Sequence, residues 1–586
     1  MTTGPEGIPT LALPPPPGTP PQPTPADDVP WRPSKLRMAR TDPDRITPRR
    51  GTVALPAVAS GVGLALSLPP WGFWILAFPA AGLLWWRLGG LRPRTRLWAG
   101  WLAGLGCYVP GLMFARSFTL AGAVVLILVE ALFVGVACLA VPRGPVVARA
   151  LAFPTALTLA EAVRQTWPFG GLPIGGVFLG QAGGPVLGVA RLGGPLGLTA
   201  AVYVGGVATG ALGLAVVRAV RNLRRAAAFD RLHPEPGRPT GRRRAALGLG
   251  TIAVTGGVAL VALVASAVVA DHAPDGGPVV RQVSAAAVQG GGVRGFRKSQ
   301  VDPATVLHAA VAATDRLLPR PATDPPALVL WPEDVVSLDQ PLADDPEQGA
   351  LSRLAVALHA TLVVGVTETV SSTAFRNEVV AFGPDGAIVD RYEKVHRVPF
   401  GEYIPYRSFF AHLGNLSAVP LDAVPGTGTG MLTTPAGRLG TMISYEVFYA
   451  DRGRSSVRAG AQVLIVPTNT SSYATAQIPT QEIAASEVQA VQQGRDLLQA
   501  APTGYSAWIT HRGQLLARSV LGARQIVPAT LGLRNGWTVY VRFGDTPVLL
   551  ACLLALLVGW WLAVRPVRPT RAPGPPAGPT AGGTYS

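Results

Sequence analysis

Eight apolar stretches of membrane-spanning length constrain this chain more than any other feature. They fall at about 53–68, 73–86, 97–115, 120–141, 148–162, 195–217, 246–270 and 547–564. A helix needs about 20 predominantly apolar residues to cross a bilayer core of ~30 Å. The first and fifth stretches are short and interrupted by proline. The composition agrees with a polytopic membrane protein: 48% of the residues are hydrophobic and only 14% charged. At 586 residues the chain exceeds what one compact core can hold.

The arginines orient these stretches. Short cytoplasmic loops collect Lys and Arg. Arg45, Arg49 and Arg50 precede the first stretch, Arg87, Arg92, Arg94 and Arg96 follow the second, and Arg143 and Arg149 follow the fourth. Nine arginines from Arg218 to Arg244 follow the sixth, and Arg565, Arg568 and Arg571 follow the eighth. Every second loop is basic, which places the N-terminus inside and the segment after the seventh stretch outside. The net charge of +17 is therefore mostly a topology signal, and nucleic-acid binding is not expected. Residues 1–48, Pro-rich and then basic, read as a disordered cytoplasmic arm rather than a cleavable signal peptide. Residues 49–272 form a seven-helix membrane domain, 547–565 the last span and 566–586 a disordered cytoplasmic tail. Cys107, Cys138 and Cys552 all lie in apolar runs without paired spacing, and the seven histidines are scattered. Neither a disulfide framework nor a metal or other cofactor is implied.

The outside segment, about 275–540, has a different texture. Short apolar runs at 279–288, 327–331, 362–366, 378–382, 388–392, 439–443 and 463–466 read as buried strands. Segments 303–318, 347–359 and 477–493 between them read as helices. This alternation predicts an α/β domain. The Gly290–Gly295 run fits the dinucleotide fingerprint in spacing, but no acidic residue follows at the ribose distance, so it is set aside.

Three pieces of this domain carry chemistry. The chain holds three lysines against 47 arginines, and one of them is Lys394. Arginine cannot lose its proton in a protein, whereas lysine can exchange one, so an amine at this position implies a chemical role. Ala327-Leu-Val-Leu-Trp-Pro-Glu333 places a carboxylate just past a buried strand. Gly440-Thr-Met-Ile-Ser444-Tyr-Glu446 ends another strand in a hydroxyl and a carboxylate. A Glu, a Lys and a nucleophile at successive strand ends make an acyl-transfer constellation: Glu333 takes a proton, Lys394 stabilises developing charge and Ser444 is acylated. Tyr445 and Glu446 flank the nucleophile, where they either contact substrate and position Ser444 or anchor the strand end. Glu161 and Arg164 sit at the outer end of a span as a functional pair or a structural one. The apolar stretch 409–413 is either a membrane-facing arm for acyl chains or core.

The order Trp-Pro-Glu333, Tyr-Glu-Lys394-Val-His-Arg-Val-Pro-Phe-Gly-Glu402-Tyr-Ile-Pro and Ile-Ser444-Tyr-Glu446 resembles the nitrilase (carbon–nitrogen hydrolase) superfamily. Together with Glu161-Ala-Val-Arg-Gln-Thr-Trp-Pro-Phe-Gly-Gly-Leu-Pro, it resembles the apolipoprotein N-acyltransferases in particular. The resemblance implies an α-β-β-α sandwich over the outer face of the plasma membrane, inserted between spans seven and eight. It adds Glu402 to the catalytic set. It implies a monomer that moves an acyl chain from a phospholipid donor to the N-terminal amine of a diacylglyceryl-cysteine apolipoprotein acceptor. Where that family has a nucleophilic cysteine, this chain has Ser444, and no cysteine lies elsewhere in the domain. A hydroxyl is far harder to ionise than a thiol with its pKa of ~8.5. The family's Asn-Asp-Ala-Trp-Phe-Gly loop reads Asn469-Thr-Ser-Ser-Tyr-Ala here, its Arg-Ala-Thr-Asn-Thr-Gly stretch reads Gln499-Ala-Ala-Pro-Thr-Gly504, and its tryptophan after the first strand is absent, with Phe296 nearby. An acyltransferase and a weakly active or inactive scaffold that binds lipid or a partner both remain open on the sequence.

Overall fold

The computed structural model describes residues 50–232, 242–295, 301–318, 325–412, 416–417, 419–473 and 475–565. The expected N-terminal arm, the C-terminal tail, Phe296 and Leu413 lie outside these residues.

Seven helices precede the α/β domain: α1 (Arg50–Ser67), α2 (Ala77–Arg87), α3 (Pro93–Gly111), α4 (Leu120–Ala140), α5 (Val146–Arg164), α6 (Ala190–Leu232) and α7 (Arg242–His272). All the expected apolar stretches are helical. Leu120–Ala140, Val146–Arg164, Leu187–Arg224, Gly250–His272 and Thr546–Val564 are long and apolar enough to cross a membrane, and Thr52–Ser67 is a shorter apolar helix. The stretch at 73–86 departs from expectation. Pro69, Pro70 and Gly72 break the chain before it, so it becomes a short 3-10 turn followed by the 11-residue α2, about 16 Å long at 1.5 Å per residue. Small residues let these helices touch through their backbones. A Cβ at Gly82 of α2 would lie 2.7 Å from the Gly210 nitrogen and 2.8 Å from the Gly206 oxygen of α6.

The α/β domain follows with strands β1 (Val279–Gln289), β2 (Leu328–Leu330), β3 (Val336–Leu338), β4 (Thr361–Ser371), β5 (Ala374–Phe382), β6 (Ile388–Glu393), β7 (Asp422–Ala423), β8 (Met431–Thr434), β9 (Gly437–Thr441), β10 (Val463–Pro467), β11 (Leu497–Ala500), β12 (Ala507–Ile509), β13 (Leu515–Arg518) and β14 (Gln525–Arg534). Its helices are α8 (Pro303–Thr314), α9 (Pro346–Leu358), α10 (Arg407–Ala411), α11 (Ala450–Arg458), α12 (Gln477–Gln493) and α13 (Val539–Phe543), and α14 (Thr546–Val564) returns to the membrane half. One sheet runs β14-β1-β2-β4-β5-β6, with β3 on β4 and β7 on β5; the other runs β13-β12-β11-β10-β9-β8.

The period of two along each strand builds the layers. Val283, Ala285, Leu328, Leu330, Val363, Val379 and Ala381 of the first sheet meet Leu439, Val463, Ile465 and Leu498 of the second in one buried cluster. The alternate residues Val329, Leu362, Val364, Val380 and Phe382 turn the other way, toward Ala310, Leu351 and Ala355 of α8 and α9. On the outer side of the second sheet, Leu464 and Val466 pack with Ile483, Val488 and Val491 of α12 in a cluster continuous with the membrane helices. The order helix, sheet, sheet, helix matches the expected sandwich, and its second helical layer is the one that meets the membrane half.

Buried glutamines make that junction. Gln477 Nε2 donates to the Pro110 and Gly111 carbonyls at 2.6 and 3.1 Å, and its Oε1 accepts from Phe114 N at 2.9 Å. Gln481 Nε2 donates to Gly111 O at 3.2 Å and its Oε1 accepts from Gly175 N at 3.0 Å. These amides satisfy the carbonyls that the end of α3 leaves without an intrahelical partner. The Gly290–Gly295 run opens no helix: Gly291 N and Gly292 N donate to the Pro502 and Gly522 carbonyls.

Within α6 the backbone breaks at Gly194 (φ 57°, ψ −149°), a conformation closed to side-chain-bearing residues. A Cβ there would lie 2.5 Å from the Tyr540 ring. Gly194→Ala is expected to destabilise the full-length protein by about 1–3 kcal/mol or more, read as a lower midpoint for thermal loss of tryptophan fluorescence in detergent; an unchanged midpoint would contradict this packing.

Candidate active site

Strands β2, β4 and β6 share one direction, because β5 is antiparallel to both β4 and β6. The chain therefore leaves β2 and β6 at the same sheet edge, which brings Glu333 and Lys394 together. Past β2, Trp331 is buried and its indole donates to Thr314 Oγ1 at 2.9 Å. Pro332 and Glu333 then turn sharply, with Asp334 in the left-handed region (φ 61°). Gly365 of β4 makes room for this turn, since a Cβ there would lie 2.3 Å from Pro332 O and 2.6 Å from Glu333 Cα.

Lys394 Nζ donates to Glu333 Oε1 at 2.8 Å and to Glu402 Oε1 at 2.7 Å. The amine is 1% exposed. Asn377 of β5 closes the array, donating through Nδ2 to Glu333 Oε1 at 2.9 Å and to Glu402 Oε1 at 3.1 Å. Glu402 Oε2 accepts from Val398 N at 2.8 Å, which ties its own loop, and Phe400 in that loop is left-handed (φ 59°). Burial opposes the charge on Lys394, but the two carboxylates outweigh it and hold the ammonium well above its usual range. Burial pushes the Glu333 carboxyl up against the opposing pull of Lys394.

Ser444 comes from the other sheet. Strands β9, β10 and β11 are parallel, so their ends also share an edge. Ser444 follows β9 with φ 48°, left-handed for a residue with a side chain, and is 9% exposed. This strained turn lifts the hydroxyl out of the strand line. Glu446 fixes the turn with both oxygens. Oε1 accepts from Val395 N, His396 N and the Tyr392 hydroxyl, and Oε2 accepts from Ile443 N at 2.8 Å. It thus staples the Ser444 turn to the loop after Lys394. Tyr445 donates its hydroxyl to Gly171 O at 3.0 Å and accepts from the Tyr449 hydroxyl at 2.8 Å.

Two residues that the sequence reading passed over complete the site. One is Asn377. The other is Glu482 on α12, which is 2% exposed and accepts at Oε1 from Thr468 Oγ1 at 2.7 Å. Burial pushes Glu482 up to about 8; Thr468, Lys394 and Ser444 pull it down and Glu333 raises it. Glu333, Lys394 and Glu402 therefore converge directly. Among the described residues Ser444 makes no hydrogen bond to Lys394 or Glu333.

The membrane half supplies a wall. Arg164, 1% exposed, pairs with Glu161 at 2.8 Å and Glu130 at 3.1 Å and donates to the Ile174 and Pro173 carbonyls at 3.1 and 3.2 Å. The expected Glu161–Arg164 pair thus holds the loop whose Gly171 carbonyl receives both tyrosines. The segment at 409–412 is not core: Phe409 is 59% exposed, beside exposed Phe400 and Tyr406.

Comparisons with known proteins match both halves. Residues 60–208 match the family described as apolipoprotein N-acyltransferase N-terminal domain, and residues 284–534 match carbon-nitrogen hydrolase. Apolipoprotein N-acyltransferase of Mycolicibacterium smegmatis is 30% identical over 519 residues, covering 85% of this chain and 82% of that protein. The chain belongs to the apolipoprotein N-acyltransferase family. Its counterpart from Allorhizobium ampelinum is 28% identical over 523 residues, 82% of this chain and 90% of that one. A carbon-nitrogen hydrolase structure from Helicobacter pylori G27 aligns with 46% of this chain and 95% of its own length, at 18% identity and a TM-score of 0.32. In this family member the buried array sits in the nitrilase-like domain, and the Arg164 cluster sits in the apolar half.

Lys394→Met removes the counter-charge from two buried carboxylates and is expected to cost about 3–5 kcal/mol. Without the ammonium, burial raises the Glu333 carboxyl further, so it binds a proton in the folded state that the unfolded chain releases above its ordinary glutamate pKa of ~4.3. The loss should then grow as pH rises from about 5 to 8, measured by denaturation of the purified protein; a pH-independent loss would contradict the paired arrangement.

Proposed function

We propose that this chain moves an acyl chain from a membrane phospholipid to the N-terminal amine of a diacylglyceryl-cysteine lipoprotein, through an acyl-enzyme on Ser444. The observation that carries this reading is the ammonium of Lys394, buried between Glu333 and Glu402 at 2.8 and 2.7 Å. Burying three ionisable groups costs several kcal/mol per ion. A scaffold has no need of that arrangement, so the binding-only alternative is not favoured.

In the first half-reaction Ser444 Oγ attacks the ester carbonyl of the donor. The bond to the glycerol oxygen breaks, and the lysophospholipid leaves with a proton. Lys394, which keeps its charge, stabilises the oxyanion as it develops, and Glu333 and Glu402 hold it in place. In the second half-reaction the lipoprotein amine attacks the acyl-serine, loses a proton to a site carboxylate and releases Ser444. Tyr445 and Glu446 serve substrate binding through the loop they fix at the Ser444 turn. The exposed Phe400, Tyr406 and Phe409 fit an arm along which acyl chains approach.

The membrane arrangement is part of the proposal: eight spans in the plasma membrane, the N-terminus cytoplasmic, residues 275–540 extracytoplasmic and the protein monomeric. The arginine pattern supports it. A reporter fused near Gly386 is expected to report as extracytoplasmic, and a cytoplasmic signal there would overturn the orientation.

Mass spectrometry of lipoprotein N-termini, in a strain where this chain is the sole candidate, tests the chemistry. Wild type should N-acylate and Ser444→Ala should not. Ser444→Cys should equal or exceed wild type, because the thiolate forms more readily and a thioester is the better acyl donor. Lys394→Arg should fail in either background, since the forked guanidinium cannot replace a compact ammonium. N-acylation by Ser444→Ala at the wild-type level would sink the nucleophile assignment.

A further inference from the structure

The carboxylates of the membrane half stand at one end of it, and its buried arginines at both. Helices α1 to α5 and α14 hold two carboxylates, Glu130 and Glu161, and Arg164 binds both beside the candidate active site. The C-terminal end of α3, at Gly111, likewise meets α12 there. Arg96 of α3 and Arg149 of α5 lie 15 residues before Gly111 and Arg164, about 22 Å away at 1.5 Å per residue. They mark the opposite end of these helices.

Four arginines gather at that far end, around the loop at 88–92. Arg87, on the last turn of α2, donates to Thr52 O at the start of α1, and its Nε is buried without a hydrogen-bond partner. Arg143, exposed after α4, donates through Nε to Leu91 O at 2.8 Å. Arg149 lies over the Trp85 ring at 5.3 Å and fills the space above Gly89, where a Cβ would collide with its guanidinium. Arg96, on the first turn of α3, is 3% exposed, and its Nε and Nη1 are both buried with no partner. An arginine that only orients a span needs to reach water, and its long side chain can snorkel there. Exposed Arg92, Arg94 and Arg143 do so. Arg96 does not. A buried charge with neither counter-ion nor hydrogen bonds is strongly unfavourable, and the helices that form this end hold no further carboxylate to supply either.

We propose that this end of the membrane half binds the phosphate of an anionic phospholipid, held by Arg87, Arg96, Arg143 and Arg149 in the leaflet opposite the candidate active site. A phosphodiester anion accepts several charge-assisted hydrogen bonds at once, which forked guanidinium groups supply. Basic pockets between membrane helices take acidic headgroups in this way. The rim points to a lipid over a soluble anion. Trp98, Leu139 and Val147 are exposed on the same helix ends and offer acyl chains an apolar surface. Trp98 packs edge-on against Trp101, and the Trp560 indole donates to Ala140 O at 2.8 Å, which places a tryptophan belt at headgroup depth. Lying so far from Arg164, the lipid is a resident of the fold and not the acyl donor, and the inference holds whether or not Ser444 is a nucleophile.

The test uses the full-length protein in detergent, titrated with dioleoylphosphatidylglycerol, dioleoylphosphatidylcholine or inorganic phosphate. Bound lipid is counted by native mass spectrometry, and stability is read from tryptophan fluorescence on heating. Wild type should bind the phosphatidylglycerol at least ~10-fold more tightly than the phosphatidylcholine and unfold at a higher temperature with it. Arg96→Gln should lose at least ~10-fold of that affinity and Arg143→Gln at least ~5-fold. Arg94→Gln, which removes the same charge from an exposed position, should lose less than ~2-fold. Equal wild-type affinity for the two lipids would overturn the proposal. So would equal losses in Arg96→Gln and Arg94→Gln, which mark a general attraction between charges. If Arg96→Gln does not fold, exposed Arg143 decides instead: an Arg143→Gln affinity equal to that of Arg94→Gln would reject the site. Inorganic phosphate that displaces the lipid and raises the unfolding temperature as much would give the site to a soluble anion and overturn the lipid assignment.

Discussion

The rest of this molecule depends on one buried ammonium. Lys394 sits 1% exposed between two carboxylates, and desolvation on that scale is tolerable only when the counter-charges are held at hydrogen-bond distance. The two sheets hold them. The common direction of β2, β4 and β6 delivers Glu333 and Lys394 to one edge, Asn377 on the intervening strand bridges both carboxylates, and Glu402 reaches back from a loop it ties itself. Two carboxylates and one ammonium leave a net negative charge before Glu482 is counted. Burial, helped by Glu333 and opposed by Thr468 and Lys394, holds the Glu482 carboxyl up at about 8.

A second dependence runs from the membrane half into the site. Arg164 gathers Glu130, Glu161 and the carbonyls of the loop at 172–174, and the neighbouring Gly171 carbonyl receives Tyr445 and Tyr449. Tyr445 follows Ser444 directly in the chain. From the other side, Gln477 and Gln481 fasten α12 to the end of α3, and the same helix carries Glu482. Ser444 is thus framed on two sides by elements docked on membrane helices, a suitable arrangement where one substrate is a lipid and the other a lipid-anchored chain.

The sequence made the centre of this arrangement legible and left its rim obscure, for physical reasons. Short apolar runs marked β2, β4, β5, β6, β9 and β10, and the rarity of lysine, two against many arginines in the domain, marked Lys394. Strands β11 to β14 lack that contrast: β14 carries Pro528 and Gly532, and β12 and β13 are three and four residues long. The stretch at 73–86 was apolar enough to suggest a span, but the prolines before it convert its first turn to 3-10 geometry and leave only 11 helical residues. Asn377 begins the apolar half of β5, where one polar residue reads as a strand end. Glu482 was hidden by its helix. Between 477 and 493 glutamines and glutamates recur on every face and are buried on every face, so periodicity cannot single out Glu482.

The turn after β9 bears on why a serine can stand at this strand end. The left-handed turn at Ser444 is set by the Glu446 staple and does not depend on whether oxygen or sulfur follows Cβ. What changes with the atom is the demand for a base, because a hydroxyl ionises far less readily than a thiol. The carboxylates of Glu333 and Glu402 and the ammonium of Lys394 are held together whichever atom follows that Cβ.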